Sequence, residues 1–301
     1  MDKVLTGAAH ETFLSVGDVT FRVASDDRRL ASPADGPLVP FFSDRGRADV
    51  EICARWSDTP LESPGQLLFD SGGTWQLLQS SRELLFTFRS SLRGSVPYKT
   101  ARFNPAFTAG DVQLFRPHFD RHPSEPVYPL EYPLDELLMI HLLSQGKGVE
   151  IHACGLLGPD GRAYLFAGQS GAGKSTMARL WLNQPGVRLF TDERVVLRTD
   201  RSRIAAYGTP WHGEAGLALP LSGDLAAVFF LNQAPANSVV PVTAAQAAAR
   251  LLACSFLPFH SANAVDRTMA AVERVTREAP CYDLWFTPDQ SVIDVVTSCM
   301  G

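Results

Sequence analysis

Gly168-Gln169-Ser170-Gly171-Ala172-Gly173-Lys174-Ser175 sets three glycines, an alanine and two serines around a single lysine. The stretch fits G-x-x-x-x-G-K-[ST] at every position, the spacing of a phosphate-binding loop. Each residue type has a chemical reason to be there. Glycines leave the backbone bare enough for successive N–H groups to turn inward onto phosphate oxygens. A helix beginning at the end of the loop adds its own free N–H groups and its positive dipole end. Lys174 has the reach for β- and γ-phosphates, and the Ser175 hydroxyl is a ligand for Mg²⁺. Gly168 to Ser175, with Thr176 just after, are therefore the expected phosphate-binding residues. A glycine-rich turn that binds nothing would leave Lys174 unexplained. A nucleophile elbow would need a further glycine at Ala172, and the dinucleotide fingerprint would need a third glycine after Gly173.

A phosphate cradle names no reaction, so nearby acids matter. Leu189-Phe190-Thr191-Asp192-Glu193-Arg194 sets two carboxylates just after a short apolar strand. In P-loop proteins a carboxylate at a strand end holds Mg²⁺ directly or through water. A second one beside it can accept a proton from an attacking hydroxyl. The alternative is a solvated turn in which the acids pair with Arg188 or Arg194. Downstream, Gly208-Thr209-Pro210-Trp211-His212-Gly213-Glu214 is either a plain turn or a segment that closes over the phosphate or receives an acceptor. His118 and His122 would form a metal pair only on a helix, which the neighbouring prolines oppose. Arg250, Arg267, Arg274 and Arg277 read as solvated helix faces. Phe256, Phe259, Trp285 and Phe286 read as core rather than a base-stacking platform.

These residues need elements to position them. Arg162–Ala167 reads as a strand that delivers the chain into the loop, and Lys174–Asn183 as the helix that receives it. Val149–Leu156 reads as a preceding strand, joined through the turn Pro159-Asp160-Gly161, and Val187–Thr191 as a buried strand. Further helices are expected at Ala244–Cys254, opened by the capping box Thr243-x-x-Gln246, and at Val265–Arg277. The region before residue 131 reads differently. A hairpin is expected at Gly17-Asp18 between Phe13–Val16 and Val19–Val23. Strands follow at Val50–Trp56, Trp75–Gln79, Leu84–Phe88 and Val112–Phe115. Pro117 to Pro133 carries five prolines and reads as a linker or extended crossing segment. Pro133 then opens a helix along Leu134, Leu137, Leu138, Ile140, His141 and Leu142, closed at Gly146. Two domains are expected: a β-rich lobe over residues 1–130 and an α/β domain over residues 131–301.

Composition bounds the rest. The chain has 301 residues, 45% of them hydrophobic, and a net charge of -5; the charge balance argues against nucleic acid or an anionic membrane as partner. Met1 to Gly7 shows no apolar run of signal-peptide length. The longest apolar stretch, Leu225–Leu231, is too short to span a bilayer. Five scattered cysteines without Cys-x-x-Cys spacing fit reduced thiols in a cytoplasmic protein.

The order of these anchors resembles the HPr kinase/phosphorylase family and its HPr-serine-kinase-like relatives. In that family a strand histidine precedes the loop and a strand ending in paired acids follows it. Here the matching residues are His152 in Val149-Glu150-Ile151-His152-Ala153-Cys154-Gly155, the Gly168–Ser175 loop, and Thr191-Asp192-Glu193-Arg194-Val195. The likeness spans roughly residues 149–215. It implies a P-loop kinase core of the phosphoenolpyruvate-carboxykinase type, built on a mixed sheet, with ATP and Mg²⁺ as cofactors. By position it makes Asp192 the general base, tuned by His152, with Lys174 on the phosphates and Ser175 and Glu193 on the metal side. The division of roles between the two acids stays open, because Glu193 stands where the family has a second Asp. The Arg-Gly-Leu-Gly-Ile signature of bifunctional members is absent near Tyr207–Glu214, which leaves phosphorylase activity without its motif. The implied reaction is transfer of the γ-phosphoryl group of ATP to a hydroxyl, of a peptide or protein serine or of a small alcohol or sugar. The alternative of another class is a module that binds ATP to sense it.

Overall fold

The computed structural model describes residues 10–44, 46–91, 94–120, 122 and 124–300. The reading of Met1 to Gly7, and Arg121 between His118 and His122, lie outside the described residues. The chain divides into two compact units, Met1–Leu138 and Met139–Gly301.

The first unit is built on one sheet of nine strands among the described residues: β1 (His10–Val16), β2 (Val19–Ser25), β3 (Phe42–Ser43), β4 (Val50–Ser57), β5 (Gln66–Asp70), β6 (Trp75–Ser80), β7 (Glu83–Ser90), β8 (Gly94–Phe103) and β9 (Ala109–Phe115). Their order is β3-β1-β2-β4-β9-β8-β7-β6-β5. The expected hairpin forms, with Gly17 and Asp18 at φ 56° and 57°, the left-handed pair that a two-residue hairpin turn requires. The proline-rich segment is no linker. Val127, Tyr128 and Leu130 are buried, and Val127 bridges Leu30, so apolar side chains draw this stretch into the unit's core. Helix α1 (Leu134–Leu143) follows it and is buried almost all round.

The second unit corrects the expected architecture. Its strands are β10 (Gly148–Leu157), β11 (Ala163–Ala167), β12 (Arg188–Thr191), β13 (Arg194–Arg198), β14 (Ala205–Gly208), β15 (Ser222–Gln233), β16 (Ser238–Pro241) and β17 (Cys281–Phe286). Its helices are α2 (Lys174–Trp181), α3 (Ala244–Ala253), α4 (Ala262–Glu278) and α5 (Ser291–Met300). Strands β11, β10, β13, β14 and β15 pair in turn, and β15 pairs back to β11, closing a five-stranded barrel. Strand outweighs helix 40% to 22% over the structure, so the chain is β-rich rather than α/β. It does not adopt the expected P-loop kinase core of the phosphoenolpyruvate-carboxykinase type.

The reason lies in the connections. Short links join β10 to β11, β12 to β13 and β13 to β14; strands so joined run antiparallel when they pair and curl without helices between them. Parallel pairs arise at β11–β15 and β15–β17, where long stretches of chain intervene. Closure also buries what would be sheet edges. Val149, Ile151, Leu165, Val195, Leu197, Val228 and Phe230 share one core with Ala247, Leu251, Val272 and Val275 of α3 and α4. A second core joins Phe166, Phe229 and Leu284 to Met177 and Trp181 of α2 and to Val292 and Val296 of α5. Among the described residues, no helix is long and apolar enough to cross a membrane.

Candidate functional site

Strand β11 ends at Ala167 and helix α2 starts at Lys174, so the six residues between them form the loop. The glycines do distinct work. Gly171 and Gly173 sit at φ 81° and 106°, a left-handed backbone that side chains oppose. A Cβ at Gly173 would also stand 2.7 Å from the Phe286 ring. No side chain caps the start of α2, which leaves its first N–H groups for a ligand. Gln233, at the end of β15, donates its amide to Gly171 O at 3.0 Å and pins the outer rim.

Lys174 is 7% exposed. Its ammonium donates to Gly168 O at 2.9 Å and Gln169 O at 3.0 Å. Burial lowers its pKa, while the nearby Glu193 carboxylate acts the other way. The ammonium is thus held over the loop by the loop's own carbonyls.

The acids and the histidine line the same cavity as the loop. His152 on β10 faces Arg194 on β13 in register, and its Nε2 lies 3.8 Å from Glu193 Oε1. Burial above all, with Lys174 beside it, pushes the imidazole down to about 4, so the ring is uncharged at neutral pH. Glu193 accepts Arg194 Nη1 at 2.5 Å on Oε1. Asp192 is 1% exposed. Its Oδ2 accepts the Ala215 N–H at 2.7 Å, and Oδ1 accepts those of Gly213 at 3.0 Å and Leu217 at 3.4 Å. Asp192 therefore anchors the 213–217 segment, a duty that the sequence reading of a catalytic base did not foresee.

A cavity of about 430 Å³ gathers these groups: Ser170, Gly171, Gly173, Lys174, Ser175 and Thr176 from the loop and α2, together with His152, Asp192, Glu193, Gly213 and Glu214, with Arg179 and Gln233 completing it. Gly168, Gln169 and Ala172 support the loop without lining the cavity. Of the 208–214 segment, Trp211 is buried and only Gly213 and Glu214 reach the wall. Arg179 and Gln233 escaped the sequence reading. Arg179 sits one turn after Ser175 on the same helix face, a signal that was present; Gln233 depends on the β11–β15 pairing and left none.

Among the described residues, no group of three or more His, Cys, Asp or Glu side chains could hold a metal by itself. A Mg²⁺ that arrives with phosphates needs only one or two protein ligands. Ser175 and Glu193 line the cavity and are the residues that would hold one, and the place a Gly213 Cβ would take lies 2.8 Å from Glu193 Oε2 and 2.9 Å from Asp192 Oδ2. A larger cavity, about 510 Å³, lies between α3 and α4 but is lined mostly by alanine, leucine, methionine and valine, which offers no comparable chemistry.

No curated protein matches the chain. The expected kinship with HPr kinases is corrected by the family model that does match, which is of another family. Residues 135–284, which hold the loop, His152, both acids and Gln233, are similar to the family described as SynChlorMet cassette protein ScmC.

Proposed function

We propose that this chain is a Mg²⁺- and ATP-dependent phosphotransferase that passes the γ-phosphoryl group to a hydroxyl, in the first place a serine of a peptide or small protein. The observation that carries this reading is Lys174, clamped over a left-handed glycine loop and sharing one cavity with His152 and Glu193. Loop amides and Lys174 bind the phosphates; Ser175 and Glu193 bind the metal. Mg²⁺ supplies neutralisation of charge developing on the transferred group. The uncharged His152 ring orients the acceptor hydroxyl by hydrogen bonding. The loose transition state of phosphoryl transfer needs orientation more than a strong base. Asp192 holds Gly213 and Glu214 at the cavity wall. The five thiols, all free, and the need for ATP favour the cytoplasm as its compartment.

The test is intact-mass and ³¹P NMR detection of transfer from Mg-ATP to a panel of serine peptides, with sugars and polyols in parallel and Lys174→Ala as blank. A Lys174-dependent gain of one phosphoryl group supports the reading, and the acceptor that gains it names the substrate class. One observation favours a second reading, a nucleotide-sensing module: both oxygens of Asp192 are already engaged by backbone. Lys174-dependent ATP binding with no transfer to any acceptor would select it.

A further inference from the structure

The outer face of the barrel beside the cavity carries an ion chain that phosphate binding alone does not explain. Glu150 lies two residues before His152 on β10, on the same face of the strand, and its side chain is fully buried. A carboxylate without water demands a cation. Arg194 Nε approaches Glu150 Oε1 at 3.6 Å, while Arg194 Nη1 reaches Glu193 Oε1 at 2.5 Å. The guanidinium also lies over the Phe256 ring at 4.8 Å, and the Phe256 N–H donates to Glu150 O at 3.0 Å. One planar fork is thus fixed on three sides and ends on a cavity carboxylate, a geometry that a lysine does not reproduce.

We infer that Arg194, seated on the buried Glu150, is the positioning residue of the metal side: by occupying Glu193 Oε1 it turns Glu193 Oε2 toward the cavity for the divalent cation that accompanies the nucleotide. The inference rests on the phosphotransferase reading above. Arg194 does not line the cavity and acts only through Glu193. Oε2 stands beside Gly213, which has no side chain to cover it. Outer partners of this kind usually change metal affinity about 10–100-fold when removed.

The experiment measures binding of a fluorescent ATP analogue, first in EDTA and then across a Mg²⁺ titration. It compares wild type, Lys174→Ala, Arg194→Lys and the double variant Glu150→Gln with Arg194→Met, which removes both buried charges together. Unfolding curves establish that each variant folds. The expected result is double-variant affinity in EDTA within about twofold of wild type, with the half-saturating Mg²⁺ concentration raised about tenfold. Arg194→Lys, which keeps the charge and loses the fork, falls between the two, and it carries the test if the double variant does not fold. An unchanged Mg²⁺ response, or an equal loss with and without Mg²⁺, overturns the inference while Lys174-dependent binding by wild type keeps the nucleotide site. Wild type that binds no nucleotide in either condition overturns both.

Discussion

Asp192 Oδ2 accepts the Ala215 N–H at 2.7 Å, while Oδ1 of the same carboxylate accepts the N–H groups of Gly213 and Leu217. One buried acid thus organises a loop more than twenty residues downstream and brings Glu214 to the cavity. The hydrogen bonds themselves satisfy backbone donors that the turn would otherwise leave unpaired.

Asp192→Asn tests this anchoring. The amide keeps one acceptor oxygen and turns an NH₂ toward donors, so at least one backbone N–H is left unmet. Unfolding in urea should show a loss of about 1–3 kcal/mol, and the 213–217 segment should become open to limited proteolysis. If stability and protection stay at wild-type values while transfer is lost, the acid serves chemistry rather than architecture.

Gly213 lies beside both acids, where any side chain would crowd them. A methyl group there would meet Glu193 Oε2 at 2.8 Å and Asp192 Oδ2 at 2.9 Å. Gly213→Ala should leave the barrel folded, since the loop can shift outward, yet weaken Mg-ATP binding by about tenfold through displaced ligands. Calorimetric titration with Mg-ATP reads this directly, and undiminished affinity would remove Gly213 from the metal side.

How much of this was legible follows from where each signal lies along the chain. The loop, its flanking strand and helix, and the Thr243–Gln246 capping box are local: neighbouring residues make their own case. The barrel is not local. Its closure depends on Ala167 pairing with Phe230, across more than sixty residues, and a run such as Leu225–Leu231 looks alike in a flat parallel sheet and in a closed ring. Strand β13 was hidden because Asp192 and Glu193 read as acids that follow a strand, with no second strand expected behind them, whereas they form the turn into one. The saturation of Asp192 was equally hidden, because its partners are backbone groups that any sequence would supply.

His152 predicts a pH dependence with a definite sign. Its folded value is about 4 against an ordinary 6.5, so between those limits the unfolded chain binds a proton that the folded chain refuses. Stability must therefore rise with pH through this window and be lost as pH falls from about 6.5 toward 4. The shift allows at most about 3 kcal/mol; with the side chain 23% exposed, about 1–2 is expected after solvent screening. Urea unfolding of the metal-free protein at pH 7 and pH 5 should show a little over half of it, because pH 5 lies part-way down the window, and His152→Gln should flatten the difference by about 1 kcal/mol. An equal drop in both proteins would place the effect elsewhere.

Gly173 separates the loop's geometry from its composition. It stands at φ 106° as the residue before α2, and a Cβ there would meet the Phe286 ring at 2.7 Å. Gly171 has the same left-handed backbone at φ 81°, yet nothing lies within 4 Å of its Cβ position. Gly171→Ala therefore bears conformational strain alone, about 1 kcal/mol, whereas Gly173→Ala adds a clash with a ring that is buried in the α2–α5 core. Thermal unfolding should rank Gly173→Ala below Gly171→Ala by a further 1–3 kcal/mol or so. On the proposed reading both should lose nucleotide affinity, because each moves N–H groups that would converge on phosphate. Equal stability of the two variants would mean that Phe286 yields freely, and that the loop is held by its own turn rather than by the packing beneath it.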